Sequence, residues 1–260
     1  MAIMLPMAEI KSHQNPVLER GDIYFLYRPR VETEEAHGLG DVERVFILLK
    51  PARTHLYRLI VVGRKKLPDP KEHNRFWAFV WRVFKDRDAL NKELGARTYE
   101  TKTRGVRHVQ PVRPAAEGIY ALVRHGEHTH LAYVLELPKV QGPAERDLNI
   151  EREASYIIAV KNPESGSPPA AGLDPDREAH FPKKLQEKFA GRRFVPVDPP
   201  DFLNYEGAEL MLIGAEENAE EELEIEFKPD KEDEHNADVF KDLKLPREIA
   251  RELLFEGQWK

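Results

Sequence analysis

The chain has 260 residues, of which 41% are hydrophobic and 33% charged, and 40 Lys and Arg against 46 Asp and Glu give a formal net charge of −6. It contains no Cys, which excludes disulfides, thiolate metal sites and a cysteine nucleophile. No apolar run approaches the roughly 18 residues of a membrane-spanning helix, and the start lacks the pattern of an export signal. We therefore expect a cytoplasmic globular protein without a membrane partner.

Charge is unevenly distributed along the chain. Residues 50–113 contain 17 Lys and Arg against 6 Asp and Glu, whereas residues 206–260 contain 7 against 18. This asymmetry is typical of a nucleic-acid-binding face with an acidic tail, or of two segments that lie together and neutralise each other. We favour neutralisation, because an acidic segment tethered to a basic one competes with phosphate for it.

In chain order, the first predicted elements are three strands that recur later in the chain. The pattern Ile-Tyr-x-Leu-x-Arg at residues 23–28 returns at residues 119–124. In the first copy, a run rich in β-branched and aromatic residues at 45–51 then ends at Pro, and a third such run follows at 57–64. In the second copy, the corresponding runs lie at 132–138 and 155–162. Each set predicts a hairpin plus a further strand.

A predicted helix with Gly near its end follows each set of strands, at residues 90–99 and 185–194. A shorter third copy then begins near residue 207. Residues 208–213 and 223–229 form its predicted hairpin. Residues 245–253 form its predicted helix, whose second residue is Pro. Since the elements recur in one order, we interpret them as an internal repeat.

The repeat predicts an α+β fold, a β-rich body of three related hairpin-strand-helix modules stacked together. We expect an N-terminal arm, two full modules and a truncated third module, at residues 1–20, 21–116, 117–205 and 206–260. Residues 165–176 are rich in Pro, Gly and Ala, which predicts a loop or linker within the second module. The shared strands are expected to bury Ile119, Leu122, Val134, Leu135, Ile157 and Ile158.

The densest polar constellation is a predicted hairpin turn with His125, His128 and His130. The last two share a strand face about 7 Å apart, and His125 lies across the turn, so three imidazoles with Glu136 could hold a divalent metal. With Gly142, this arrangement resembles a degraded first motif of the cupin family, although each spacing departs by one residue and no second motif follows. We favour exposed turn histidines and expect no cofactor, and keep a metal-dependent enzyme as the alternative.

Basic residues supply the remaining candidates. Residues 75–85 interleave Arg and Lys with aromatic residues, as single-strand binders do, but apolar residues on both faces favour a core strand. Two strand-end arginines and a basic cluster after the third strand are candidates for binding a carboxylate or phosphate: Arg28, Arg124, Arg64, Lys65 and Lys66.

The usual catalytic signatures are missing from the sequence, including Gly-x-Gly-x-x-Gly, the Walker loop, His-Glu-x-x-His and Gly-x-Ser-x-Gly. We therefore predict a non-catalytic scaffold, or a protein that binds a ligand or another protein through its stacked modules. Two alternatives stay open. One is a metal-dependent enzyme that uses the histidine turn, and the other is single-stranded nucleic-acid binding through residues 50–113.

Overall fold

A computed structural model describes residues 9–12, 14–166, 173, 175–229, 232, 233, 235–243 and 251–259. The strands are β1 Glu9–Ser12, β2 Val17–Pro29, β3 Val42–Pro51, β4 Tyr57–Val62, β5 Arg75–Phe84, β6 Arg97–Thr101, β7 Gly105–Val109, β8 Arg113–His125, β9 His128–Leu137, β10 Glu153–Lys161, β11 Phe194–Pro196, β12 Glu209–Glu216 and β13 Ile225–Lys228. The helices are α1 Arg87–Leu94, α2 Pro143–Leu148, α3 Lys183–Gln186, α4 Ala219–Leu223 and α5 Asp238–Asp242. Within these residues no helix has the length and apolar character needed to cross a membrane.

Eight strands form one closed antiparallel barrel, in the order β2-β3-β4-β5-β12-β10-β9-β8 and back to β2. The chain first makes the meander from β2 to β5, and then leaves the barrel for α1 and the separate hairpin β6–β7. It returns as β8, which pairs with β2, and β12 closes the ring between β5 and β10. The short β11 pairs with the last residues of β10, beyond the end of β9.

Apolar and aromatic side chains fill the interior of the barrel. An eight-stranded barrel is just wide enough inside for side chains to meet across it. The rings of Phe25 and Tyr133 are 4.8 Å apart, and Tyr133 and Tyr156 stack at 6.0 Å. The interior is therefore a packed core.

One end of the interior holds a buried polar cluster that joins three barrel strands and Asn204, which lies between β11 and β12. Arg58 of β4 is 2% exposed, and its NH1 and NH2 groups donate to the two carboxylate oxygens of Glu19 at 2.6 and 3.0 Å. Its Nε donates to Asn204 Oδ1 at 2.8 Å, and the hydroxyl of Tyr120 donates to Glu19 Oε1 at 2.8 Å. These hydrogen bonds connect β2, β4 and β8 across the barrel.

The outer face of the barrel is also largely covered. Helices α1 and α5 and the turn Arg251–Phe255 pack on outward side chains that include Tyr24 and Leu26. On another side, α4 and the two-stranded sheet β1–β13 cover the outer face of β8 and β9. This double cover explains why β2 and β8 are apolar on both faces.

The expected α+β fold of three stacked modules is wrong, and the internal repeat is not supported. The sheet closes on itself, so most of its core lies inside a barrel instead of under a layer of helices. The predicted third hairpin does not form, because β12 pairs with β5 and β10 whereas β13 pairs with β1. The first strands of the two expected full modules, β2 and β8, are direct neighbours in the same barrel.

Two glycines that marked the expected module starts lie inside long strands. A Cβ atom on Gly21 would lie 2.1 Å from the carbonyl oxygen of Lys50, and one on Gly118 would lie 2.1 Å from that of Val134. Glycine inside a strand is typical of a sharp bend where two backbones approach closely. The recurring glycines therefore mark positions where the backbones of neighbouring barrel strands approach closely.

The first predicted helix is α1, and the second is only α3 followed by a short 3-10 turn. Most of the third predicted helix, most of the loop 165–176 and the start of the N-terminal arm lie outside the described residues. Among the expected core residues four are buried and two half-buried; the buried ones are Ile119, Leu122, Leu135 and Ile158, and the half-buried ones are Val134 and Ile157.

Candidate functional site

The histidine turn connects β8 to β9 at one end of the barrel. Its two central residues are Gly126 and Glu127, and Gly126 has φ 57°, a conformation that favours glycine. His125 is the cross-strand partner of His128, and His130 lies two residues further along β9. All three imidazoles therefore start from the same outer face of the hairpin.

The three histidines differ sharply in burial. His125 and His128 are exposed, whereas His130 is 3% exposed. The expectation of an exposed turn is wrong for His130, because α4 covers this part of the hairpin. Ala219 and Leu223 of α4 pack on the outer face of β8 and β9.

An acid on α4, and not Glu136, completes the polar cluster. Glu222 Oε1 lies 3.6 Å from His130 Nδ1, and the hydroxyl of Ser155 donates to Glu222 Oε2 at 2.5 Å. Glu136 is six residues from His130 on the same strand, which places it about 20 Å away. Among the described residues, His125, His130 and Glu222 form a group whose ligand atoms all lie within 4.8 Å of one another.

Burial shifts the protonation of this cluster. It lowers the pKa of His130 to about 4, and the electrostatic effect of the neighbouring His125 and His128 acts in the same direction. Burial raises the pKa of Glu222, against a lowering effect of the hydrogen bond from Ser155. At neutral pH His130 is therefore an uncharged imidazole.

A second site lies on the outer side of the barrel, where two adjoining cavities of about 310 and 820 Å³ share Val31, Glu43 and Tyr99. The cavities lie between the hairpin β6–β7, the segment after β2 and the start of β3, with Trp81 of β5 in the smaller one. We call this site the arginine groove, since its lining includes Arg28, Arg30, Arg44, Arg97, Arg104 and Arg107.

Two aromatic rings lie among these cations. The guanidinium of Arg44 lies 5.1 Å from the centre of the Trp81 ring, and that of Arg177 lies at the same distance. The Nε1 group of Trp81 donates to Glu93 Oε1 at 3.1 Å, which fixes the orientation of the indole. Tyr99 is 45% exposed.

The arginines of the groove differ in their partners. Arg28 donates to the carbonyl oxygens of Glu93 at 2.8 Å and Gln110 at 2.7 Å, so it holds α1 and the end of β7 in place. Burial, followed by the charge of Arg97, lowers its pKa to about 10. By contrast, in the part of the chain that the structure describes, the guanidiniums of Arg44, Arg97 and Arg104 have no carboxylate within 4.0 Å.

The acidic segment 206–260 forms ion pairs with the basic segment 50–113. They include Lys50 Nζ with Asp242 Oδ2 at 2.8 Å, Lys71 Nζ with Glu217 Oε1 at 2.7 Å and Arg82 NH1 with Glu206 Oε2 at 2.8 Å. None of these residues lines the arginine groove. The expected neutralisation is therefore local.

The other basic candidates lie outside the groove. Arg124 forms an ion pair with Asp198. Arg64 and Lys65 are exposed in the turn after β4, and Lys66 there is half-buried. Sequence reasoning identified Arg28 but missed the groove itself, because its lining comes from segments that are far apart in the chain.

Comparisons of the chain with known protein families, with curated proteins and with solved structures gave no match.

Proposed function

We propose that the protein is a non-catalytic binding protein and that its arginine groove binds single-stranded nucleic acid. One observation carries the proposal: the groove combines the rings of Trp81 and Tyr99 with the guanidiniums of Arg44, Arg97 and Arg104, which have no carboxylate within 4.0 Å among the described residues. Proteins that bind single strands use the same combination, a positive groove for the backbone and aromatic rings for the bases.

The chemistry of the groove suits alternating phosphates and bases. A guanidinium donates two parallel hydrogen bonds to a phosphate, and its planar face stacks on aromatic rings. Base stacking on an aromatic side chain contributes about 1–3 kcal/mol per base and tolerates any sequence. We therefore expect binding with little sequence preference.

A single strand fits the groove better than a duplex. Trp81 and Tyr99 both line the smaller cavity, and a base can stack on an aromatic ring only when it is not already paired and stacked in a duplex. The chain as a whole carries a formal charge of −6, so the attraction for phosphate must come from the local charge of the groove. Binding should consequently weaken strongly as salt rises.

The proposal includes a cytoplasmic location, which the lack of Cys favours because reducing compartments do not support disulfide-stabilised folds. An acidic segment of a partner protein is the competing occupant of the groove. A binding assay with the purified chain and an oligonucleotide contains no such partner, so binding there supports nucleic acid as the ligand.

Fluorescence anisotropy of a dye-labelled oligonucleotide of about 15 thymidines tests the proposal directly. The double change Arg97→Glu and Arg104→Glu should weaken binding at least about tenfold and reduce the steepness of the salt dependence. Arg64→Glu with Lys65→Glu is the matched control, because it makes the same charge change at exposed positions outside the groove. Absence of binding at low salt, or equal weakening by the control, would show that the groove has another ligand.

A further inference from the structure

Among the residues that the structure describes, the buried imidazole of His130 has a ring nitrogen without a hydrogen-bond partner. The residue is 3% exposed, and among the described residues no group makes a hydrogen bond to its Nδ1 atom. The nearest acid oxygen, Glu222 Oε1, lies 3.6 Å away, which is too long for a hydrogen bond. A buried polar atom left in this way destabilises the folded chain unless something binds it.

The surroundings of this atom have the composition of a metal site. One nitrogen each from His125 and His130 and one carboxylate oxygen from Glu222 lie within 4.8 Å of one another. Zinc bonds of about 2.0–2.2 Å in tetrahedral geometry place neighbouring ligand atoms roughly 3.3–3.6 Å apart. The pair His130 and Glu222 already has this separation. His125 is exposed at the tip of β8, so its side chain can rotate to close the remaining gap.

We propose that His125, His130 and Glu222 bind one divalent transition-metal ion of the zinc class. Two imidazoles and one carboxylate are a typical zinc ligand set, whereas calcium and magnesium prefer oxygen ligands throughout. Three protein ligands leave a fourth position for water.

Ser155 supports this assignment from outside the ligand set. Its hydroxyl donates to Glu222 Oε2, which fixes the plane of the carboxylate and leaves Oε1 turned toward His130. Hydrogen bonds of this kind orient the ligands of metal sites and raise their affinity.

The ion would connect two layers of the molecule. His125 and His130 belong to the barrel hairpin β8–β9, whereas Glu222 belongs to α4, which packs on the outside of that hairpin. Metal binding should therefore hold α4 on the barrel and stabilise the folded chain by mass action. The inference is independent of the proposed function, because no residue of this site lines the arginine groove.

Isothermal titration of the metal-free full-length protein with zinc chloride tests the proposal. The expected result is one zinc ion per chain, with a rise in the melting temperature on zinc addition. His130→Gln and Glu222→Gln should each weaken zinc binding at least about tenfold, and Ser155→Ala should weaken it less. His125→Gln should weaken it as strongly as the first two, and since His125 is exposed this variant keeps the test valid if His130→Gln does not fold.

His128→Gln is the matched control, because His128 is the exposed cross-strand partner of His125 but lies outside the proposed ligand set. Its zinc affinity should stay within about threefold of the unchanged protein. Three results would overturn the proposal: no zinc binding, unchanged affinity in Glu222→Gln, or a loss in His128→Gln equal to that in His125→Gln.

Discussion

Replacing Arg58 with Met should destabilise the barrel strongly, because it breaks the buried polar cluster at one end of the interior. Arg58 is 2% exposed, and the Glu19 side chain that it binds is 13% exposed. Removing one partner of a buried ion pair costs about 3–5 kcal/mol. Water reaches Glu19 to a small extent and Tyr120 still donates to it, so we expect a loss near the lower end, about 3 kcal/mol.

A double variant separates the charge effect from the packing effect. Changing Glu19→Leu together with Arg58→Met removes both charges and fills much of the same volume, so a large part of the loss should be recovered. About 1–2 kcal/mol should remain, because Tyr120 and Asn204 then lose hydrogen-bond partners. Urea unfolding followed by circular dichroism measures both values. A loss below about 1 kcal/mol for Arg58→Met, or a double variant that loses as much as the two single variants together, would refute this reasoning.

Two further predictions follow from buried groups elsewhere in the barrel. Gly118→Ala should lower the free energy of unfolding by about 1–3 kcal/mol, because the new Cβ would lie 2.1 Å from the Val134 carbonyl oxygen. Gly40→Ala is the control, since no atom lies within 4 Å of a Cβ atom built there. Equal thermal stability of the two variants would contradict the prediction. Burial raises the pKa of Glu145 from 4.5 to about 7, so the free energy of unfolding should fall as pH rises between these values. Glu145→Gln should remove this loss, which reaches up to about 3 kcal/mol at pH 8. If urea unfolding gives the variant and the unchanged protein the same pH dependence of the free energy of unfolding, the prediction is wrong.

The sequence predicted the eight barrel strands because their signal is local, but it missed the short outer strands β1, β6, β7 and β11. The runs that end at Pro51 and near Pro138 are β3 and β9, and the aromatic segment 75–85 is the strand β5. Closure of the barrel has no such local signal, because it depends on β12 entering between β5 and β10. The outer cover hid the alternation that would have indicated two different faces, since β1, α4 and the C-terminal residues bury the outward side chains.

The candidate sites were likewise predictable only where their residues lie close together in the sequence. The sequence placed His125, His128 and His130 together at one turn and suggested Glu136 as the acid, whereas the acid that lies beside His130 in the structure is Glu222 of α4, far along the chain. In the acidic run 220–222, only the packing of Ala219 and Leu223 determines that Glu222 faces His130. The arginine groove likewise depends on where the hairpin β6–β7 lies against the outer face of the barrel.

Photochemical crosslinking tests the binding of single-stranded nucleic acid most directly. The unchanged protein is irradiated with an oligonucleotide that carries 5-bromouracil, and the crosslinked peptides are identified by mass spectrometry. Our account predicts crosslinks at Tyr99 and Trp81, which unlabelled oligonucleotide competes away and which are much weaker in the Arg97→Glu and Arg104→Glu double variant. Crosslinks that concentrate instead on aromatic residues outside the groove, such as Tyr57 or Trp259, would contradict it.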